Sequence, residues 1–157
     1  MRKISFVILL LAIIIISCKR DHDQVPNSDY LIFGHFYGEC GGENCIEIFK
    51  LGSDNLYEDT KDQYPNANSF YDGSYVKLSD EKFNMTKDLM DFFPYDLLNE
   101  TNTVIGQPDA GDWGGLYIEY KFNGTRKFWL LDLMKTNVPS KYHNFIDKVV
   151  EKTDQLK

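Results

Sequence analysis

His35, Cys40 and Cys45 are spaced H-x4-C-x4-C, and the two cysteines close the stretch Gly38-Glu39-Cys40-Gly41-Gly42-Glu43-Asn44-Cys45. Imidazole, thiolate and carboxylate all bind zinc, and Glu39 or Glu43 would supply a fourth ligand. The spacing matches no common finger or knuckle, and it is not the C-x-x-C of thioredoxin-like redox centres. In an oxidising compartment an even pair of sulfurs reads first as a disulfide. Gly41 and Gly42 let the backbone fold back far enough to bring the two Cα atoms to about 5–6 Å. Closing so short a loop contributes roughly 2 kcal/mol by the chain-entropy argument. A Cys40–Cys45 staple is therefore expected. A metal site on His35, Cys40 and Cys45, or two free thiols, are the alternatives.

A second unusual stretch is Gln107-Pro108-Asp109-Ala110-Gly111-Asp112-Trp113-Gly114-Gly115. Asp109 and Asp112 are hard-cation ligands, and Trp113 offers a ring for stacking on a sugar. The spacing is not that of an EF-hand loop. The competing reading is a glycine-rich lead-in to a hairpin, its aspartates making Asx-turns. A ligand is sought at Asp109, Asp112 and Trp113 first. Glu47, Glu58 and Glu119 fall on strand-like segments and include enough carboxylates for glycoside hydrolysis, but solvated strand positions are the ordinary explanation. The three histidines, His22, His35 and His143, sit at no catalytic spacing. The chain has no Gly-x-Ser-x-Gly, His-Glu-x-x-His, P-loop or Gly-x-Gly-x-x-Gly motif. No catalytic residue and no cofactor is assigned.

The elements that must position these residues begin after an N-terminal leader. Arg2 and Lys3 precede an apolar run from Ile4 to Ile16 that ends at Ser17 and Cys18. A run of this length suits a signal peptide and is short for a membrane span, which needs about 20 residues. Ile15-Ile16-Ser17-Cys18 resembles the lipobox of bacterial lipoproteins. That resemblance implies cleavage before Cys18, acylation of its sulfur and an outer-membrane anchor. The charged Lys19-Arg20-Asp21-His22-Asp23 that follows resembles outer-membrane sorting and surface-export signals, so the periplasmic or surface face stays open. The expected divisions are a signal peptide at 1–17, a lipidated cysteine and flexible tether at 18–29, and one domain at 30–157. The tether spans roughly 18 Å.

The full chain carries a net charge of −7, and cleavage removes two more cations. Nucleic acid is excluded as a partner, since phosphate binding needs a basic surface. The 43% hydrophobic and 15% aromatic content exclude general disorder.

Within the domain, Tyr30–Tyr37 and Cys45–Leu51 read as strands, Leu56–Glu58 as a third short one and Phe70–Leu78 as another. Ser79-Asp80 caps a helix through Phe93, stopped by Pro94, with a further short turn to Asn99. Asn123-Gly124 predicts a type I′ hairpin, setting Leu116 against Leu131 and Ile118 against Trp129 on the core face. Tyr142, Phe145, Ile146, Val149, Thr153 and Leu156 recur at helical spacing after Pro139. The expected fold is α+β: an antiparallel sheet of about four to five strands with two helices packed on one face.

The lipobox, the cysteine turn between two strands (Gly38 to Leu51), and Pro108-Asp109 ahead of the Gly-Gly hairpin together resemble a group of small Gram-negative envelope lipoproteins of unknown function. Ile46 stands where that pattern often has proline. The resemblance implies the compartment and the element order, but no activity. The expected function is that of a lipid-anchored envelope protein, a non-catalytic module with a protein or glycan partner. The alternatives are a small hydrolase or carbohydrate-acting enzyme using the Asp109–Trp113 loop, and an inhibitor of a cationic enzyme such as lysozyme.

Overall fold

The computed structural model describes residues 29–157, so the leader, Cys18 and the tether up to residue 28 lie outside the described residues. Seven strands form one sheet in the order β4-β3-β2-β1-β6-β7-β5. They are β1 (Tyr30–Phe36), β2 (Ile46–Leu51), β3 (Leu56–Asp59), β4 (Tyr75–Lys77), β5 (Val104–Ile105), β6 (Gly115–Phe122) and β7 (Thr125–Asp132). All neighbours are antiparallel except β5, which runs parallel to β7. The α+β class is as expected. The sheet is larger than four to five strands, and mixed. Two residues of β5 are too few to show an alternating pattern, and their pairing depends on β7, far along the chain.

Aromatic and β-branched residues without polar alternation make β1 the central strand, and all seven of its residues are buried. Gly34 lets the strands approach there. A Cβ at that position would sit 1.9 Å from the Glu47 carbonyl oxygen of β2. The β6–β7 register is the expected one: Phe122 opposes Thr125, Ile118 opposes Trp129 and Leu116 opposes Leu131. Asn123 and Gly124 take the positive φ values of 50° and 81° that the two-residue turn requires.

The helices share one face of the sheet. Ser79 Oγ accepts the Lys82 N–H and caps α1 (Asp80–Thr86). The expected longer helix tightens into a 3-10 turn at Lys87–Phe92, immediately after Thr86. The Thr86 hydroxyl bonds back to the Lys82 and Phe83 carbonyls, a competition with the helical ladder that bends it. A second 3-10 turn spans Tyr95–Asn99. α2 (His143–Leu156) follows a 3-10 turn after Pro139 and buries Phe145, Ile146, Val149, Thr153 and Leu156, as its periodicity predicts. These side chains meet Leu31, Phe33, Leu116, Ile118 and Trp129 in the larger core.

The opposite face is not solvated. Ile32, Ile48, Tyr117, Phe128 and Leu130 form a second buried cluster there, covered by Ala67, Tyr71 and Tyr75 from the segment joining β3 to β4 and from β4 itself. Asp59 shapes that segment. Its Oδ2 accepts N–H bonds from Lys61 and Asp62 and the Tyr71 hydroxyl, while Oδ1 accepts the Ser74 N–H.

Candidate functional site

On this second face β6 places a carboxylate where water does not reach. Glu119 has no exposed surface, so its place is not the solvated strand position expected of it. Burying an unpaired carboxylate would be prohibitive, and Glu119 is closely paired. Oε1 accepts the Tyr30 hydroxyl at 2.6 Å and Arg126 Nε at 2.8 Å. Oε2 accepts the Tyr117 hydroxyl at 2.7 Å, and Tyr117 Oη in turn accepts the Tyr71 N–H at 2.9 Å. Burial, followed by the hydrogen bond and charge of Glu119, pushes both phenols above their ordinary range, so they stay protonated and donate. The network therefore ties β1, β6, β7 and the covering segment together. Tyr75 Oη is buried without a partner among the described residues. Burial and the charges of Asp59 and Glu119 hold it protonated.

Arg126 carries this network to the surface. Nε is fixed by Glu119 and the guanidinium lies 3.9 Å from the centre of the Phe70 ring, while its side chain remains 41% exposed. Beside it opens a cleft of about 220 Å³, whose lining includes Phe70, Glu100, Asn102, Arg126, Lys127 and Phe128. Phe70 packs edge-on against Phe128, and Thr103 is tied to the covering segment through the Ala67 carbonyl. Lys127 Nζ donates to the Leu98 carbonyl. The cleft thus presents an aromatic wall and an oriented guanidinium edge. The chemistry of such an arrangement suits a planar polar group or an anion.

The residues singled out from sequence lie elsewhere. Cys40 and Cys45 form a disulfide with their Cα atoms 5.6 Å apart, at the turn between β1 and β2. With the sulfurs joined, they are not thiolate ligands. His35 Nε2 faces the Asn44 carbonyl at 3.1 Å. Among the described residues no group of three or more His, Cys, Asp or Glu is placed to hold a metal ion. Asp109 is a tie rather than an open ligand. Oδ2 accepts the Gly38 N–H and the Tyr64 hydroxyl, each at 2.8 Å, and Oδ1 accepts the Gly114 N–H. Burial and Asp109 push the Tyr64 phenol up to about 12. Asp112 is exposed, and Trp113 is 52% exposed with its indole N–H given to the Ala110 carbonyl. His143 Nε2 lies 2.9 Å from the Val138 carbonyl. Neither this loop nor His35 contributes to the cleft at Arg126.

Comparison with known proteins found no matching family model, no similar curated protein and no similar solved structure. The site stands on its geometry. Sequence reasoning passed over Arg126 and set Glu119 aside. The available signal was Tyr117-Ile118-Glu119-Tyr120, where alternation puts a glutamate on the same face as one tyrosine, opposite an arginine-bearing strand.

Proposed function

We infer that the chain is a lipid-anchored protein of the bacterial cell envelope whose α+β domain binds a partner and performs no chemistry of its own. The observation that supports non-catalytic binding is the engagement of Glu119. This fully buried carboxylate behind Arg126 has both oxygens held by three donors, which fixes Arg126 in place and keeps the carboxylate away from anything that enters the cleft. Ile15-Ile16-Ser17-Cys18 carries the anchor part of the reading, and no helix among the described residues is long and apolar enough to cross a membrane.

Two measurements test it. Protein recovered from the envelope of a Gram-negative host should show an acyl mass increment on Cys18, lost together with membrane association in Cys18→Ala. An unprocessed or unacylated chain would remove the anchor. An unbiased hydrolase screen is expected to give no turnover; turnover abolished by Glu100→Gln, at the carboxylate that lines the cleft, would replace the binding module with an enzyme. A second reading, glycan binding at the Asp109–Trp113 loop, is favoured by the exposed Trp113 ring. It requires that soluble glycan fragments quench indole fluorescence, and that Trp113→Ala abolish their binding.

A further inference from the structure

β7 has a part-empty edge. Leu130 sends its N–H outward to the Thr103 carbonyl at 2.8 Å, and opposes Tyr117 within the hairpin. Backbone direction alternates along a strand, so Phe128 and Arg126 also turn their N–H and C=O away from β6. β5 covers only Leu130 and Leu131. Among the described residues nothing hydrogen-bonds to the outward N–H groups of Arg126 and Phe128. Before Thr103 the chain and β7 flank the cleft of about 220 Å³, with Thr101 and Asn102 on one side and Arg126 to Phe128 on the other. An unpaired stretch of strand beside a preformed cleft is a template for another strand.

The side chains around that edge indicate what the strand carries. Three charged side chains line the cleft: Glu100, Arg126 and Lys127. Glu100 is taken up by the Tyr142 hydroxyl and by Lys141, and Lys127 Nζ by the Leu98 carbonyl. The half-exposed Arg126 guanidinium is therefore the charged group open to a guest. Glu119 holds Nε, which leaves the two terminal nitrogens of the cleft-lining Arg126 guanidinium as donors for a carboxylate.

We propose that this edge accepts an extended peptide of a partner protein by strand addition, its backbone pairing with Arg126 and Phe128 and one Asp or Glu side chain meeting the Arg126 guanidinium. The contact covers about 10 Å of strand, enough for three or four residues of the guest. The main chain supplies affinity and the carboxylate supplies register. This rests on the binding-module reading and identifies its partner.

The test uses the full chain purified from the envelope in detergent, and a labelled, end-capped hexapeptide Thr-Val-Thr-Asp-Val-Thr. Saturable binding is expected. An Asn-for-Asp peptide should bind about tenfold more weakly, and a backbone N-methylated peptide not at all. Hydrogen exchange should show new protection at the amides of Arg126 and Phe128. Arg126→Gln should erase the Asp preference. Because that change also disturbs Glu119, Asn102→Trp provides a second variant that fills the cleft rim without touching the network, and it too should abolish binding. The proposal is overturned by no binding below about 1 mM, by equal binding of the N-methylated peptide, by binding that leaves both amides unprotected, or by a concentration-dependent dimer that occupies the edge itself. Turnover in the hydrolase screen with the peptide results intact would overturn only the non-catalytic reading.

Discussion

At the residue scale, Glu119 and His35 illustrate two ways a β-protein tolerates a titratable group in its interior. Glu119 is kept by donors: two phenols and a guanidinium replace the water it has lost. Glu119→Gln keeps the shape but turns an acceptor toward Arg126 into a weaker one and removes the balancing charge. It should lower stability by about 2–4 kcal/mol in urea unfolding, the half-exposed Arg126 moderating the loss. His35 is kept by neutrality. Burial lowers its pKa from 6.5, with the Asn44 carbonyl opposing that shift. Below the ordinary imidazole pKa the unfolded chain takes up a proton that the folded chain does not. Stability therefore falls as the pH drops through 6.5 and levels off below the folded value. Glu47, directly across the strand pair, is raised by burial and by Glu58 and Asp62. It contributes a slope of opposite sign, in which stability falls as pH rises above 4.5. Unfolding midpoints measured across this range should show the His35 loss in the native chain and a flatter profile in His35→Gln. An unchanged profile would mean that His35 titrates normally.

At the element scale, two joints carry the strands at the centre of the sheet. Gly34 sits against the β2 backbone, and any Cβ there overlaps the Glu47 carbonyl. Gly34→Ala should cost on the order of 3 kcal/mol and, unlike a cavity-forming change, should not be rescued by small neighbours. The Cys40–Cys45 bond pins the far end of the same strand pair. Replacing both cysteines with serine should lower stability by roughly 2 kcal/mol, since only a short loop is released. A fully unfolded double mutant would show that the turn nucleates the sheet. Both strands and the disulfide were legible in sequence because they rest on local chemistry: β-branched runs, a Gly-Gly pair and two even sulfurs. The 3-10 turn after Thr86 was not, because a threonine that back-bonds to its own helix looks like any other helical residue in the pattern.

At the scale of the whole molecule, the sheet is covered on both faces and the surface remains acidic. Exposed ion pairs such as Lys135–Asp147 contribute little against this excess. Screening should therefore stabilise the fold, and Tm should rise by a few degrees from low salt to about 0.5 M. A fall would show that surface pairs outweigh repulsion. The hairpin register, the helical face of α2 and the capped start of α1 were all determined by the sequence itself, since each depends on residues a few positions apart. The second core and the site were decided only by tertiary structure. Alternation along β6 and β7 shows which residues share a face, but whether that face meets water depends on where the segment joining β3 to β4 lands. Tyr71 and Tyr75 cover it from the Phe70–Leu78 stretch, which reads as a strand but pairs with β3 only at Tyr75–Lys77. Once they do, Glu119 must find Tyr30, Tyr117 and Arg126, residues separated by up to 96 positions, because a carboxylate removed from water is tolerated only among donors that the fold brings to it.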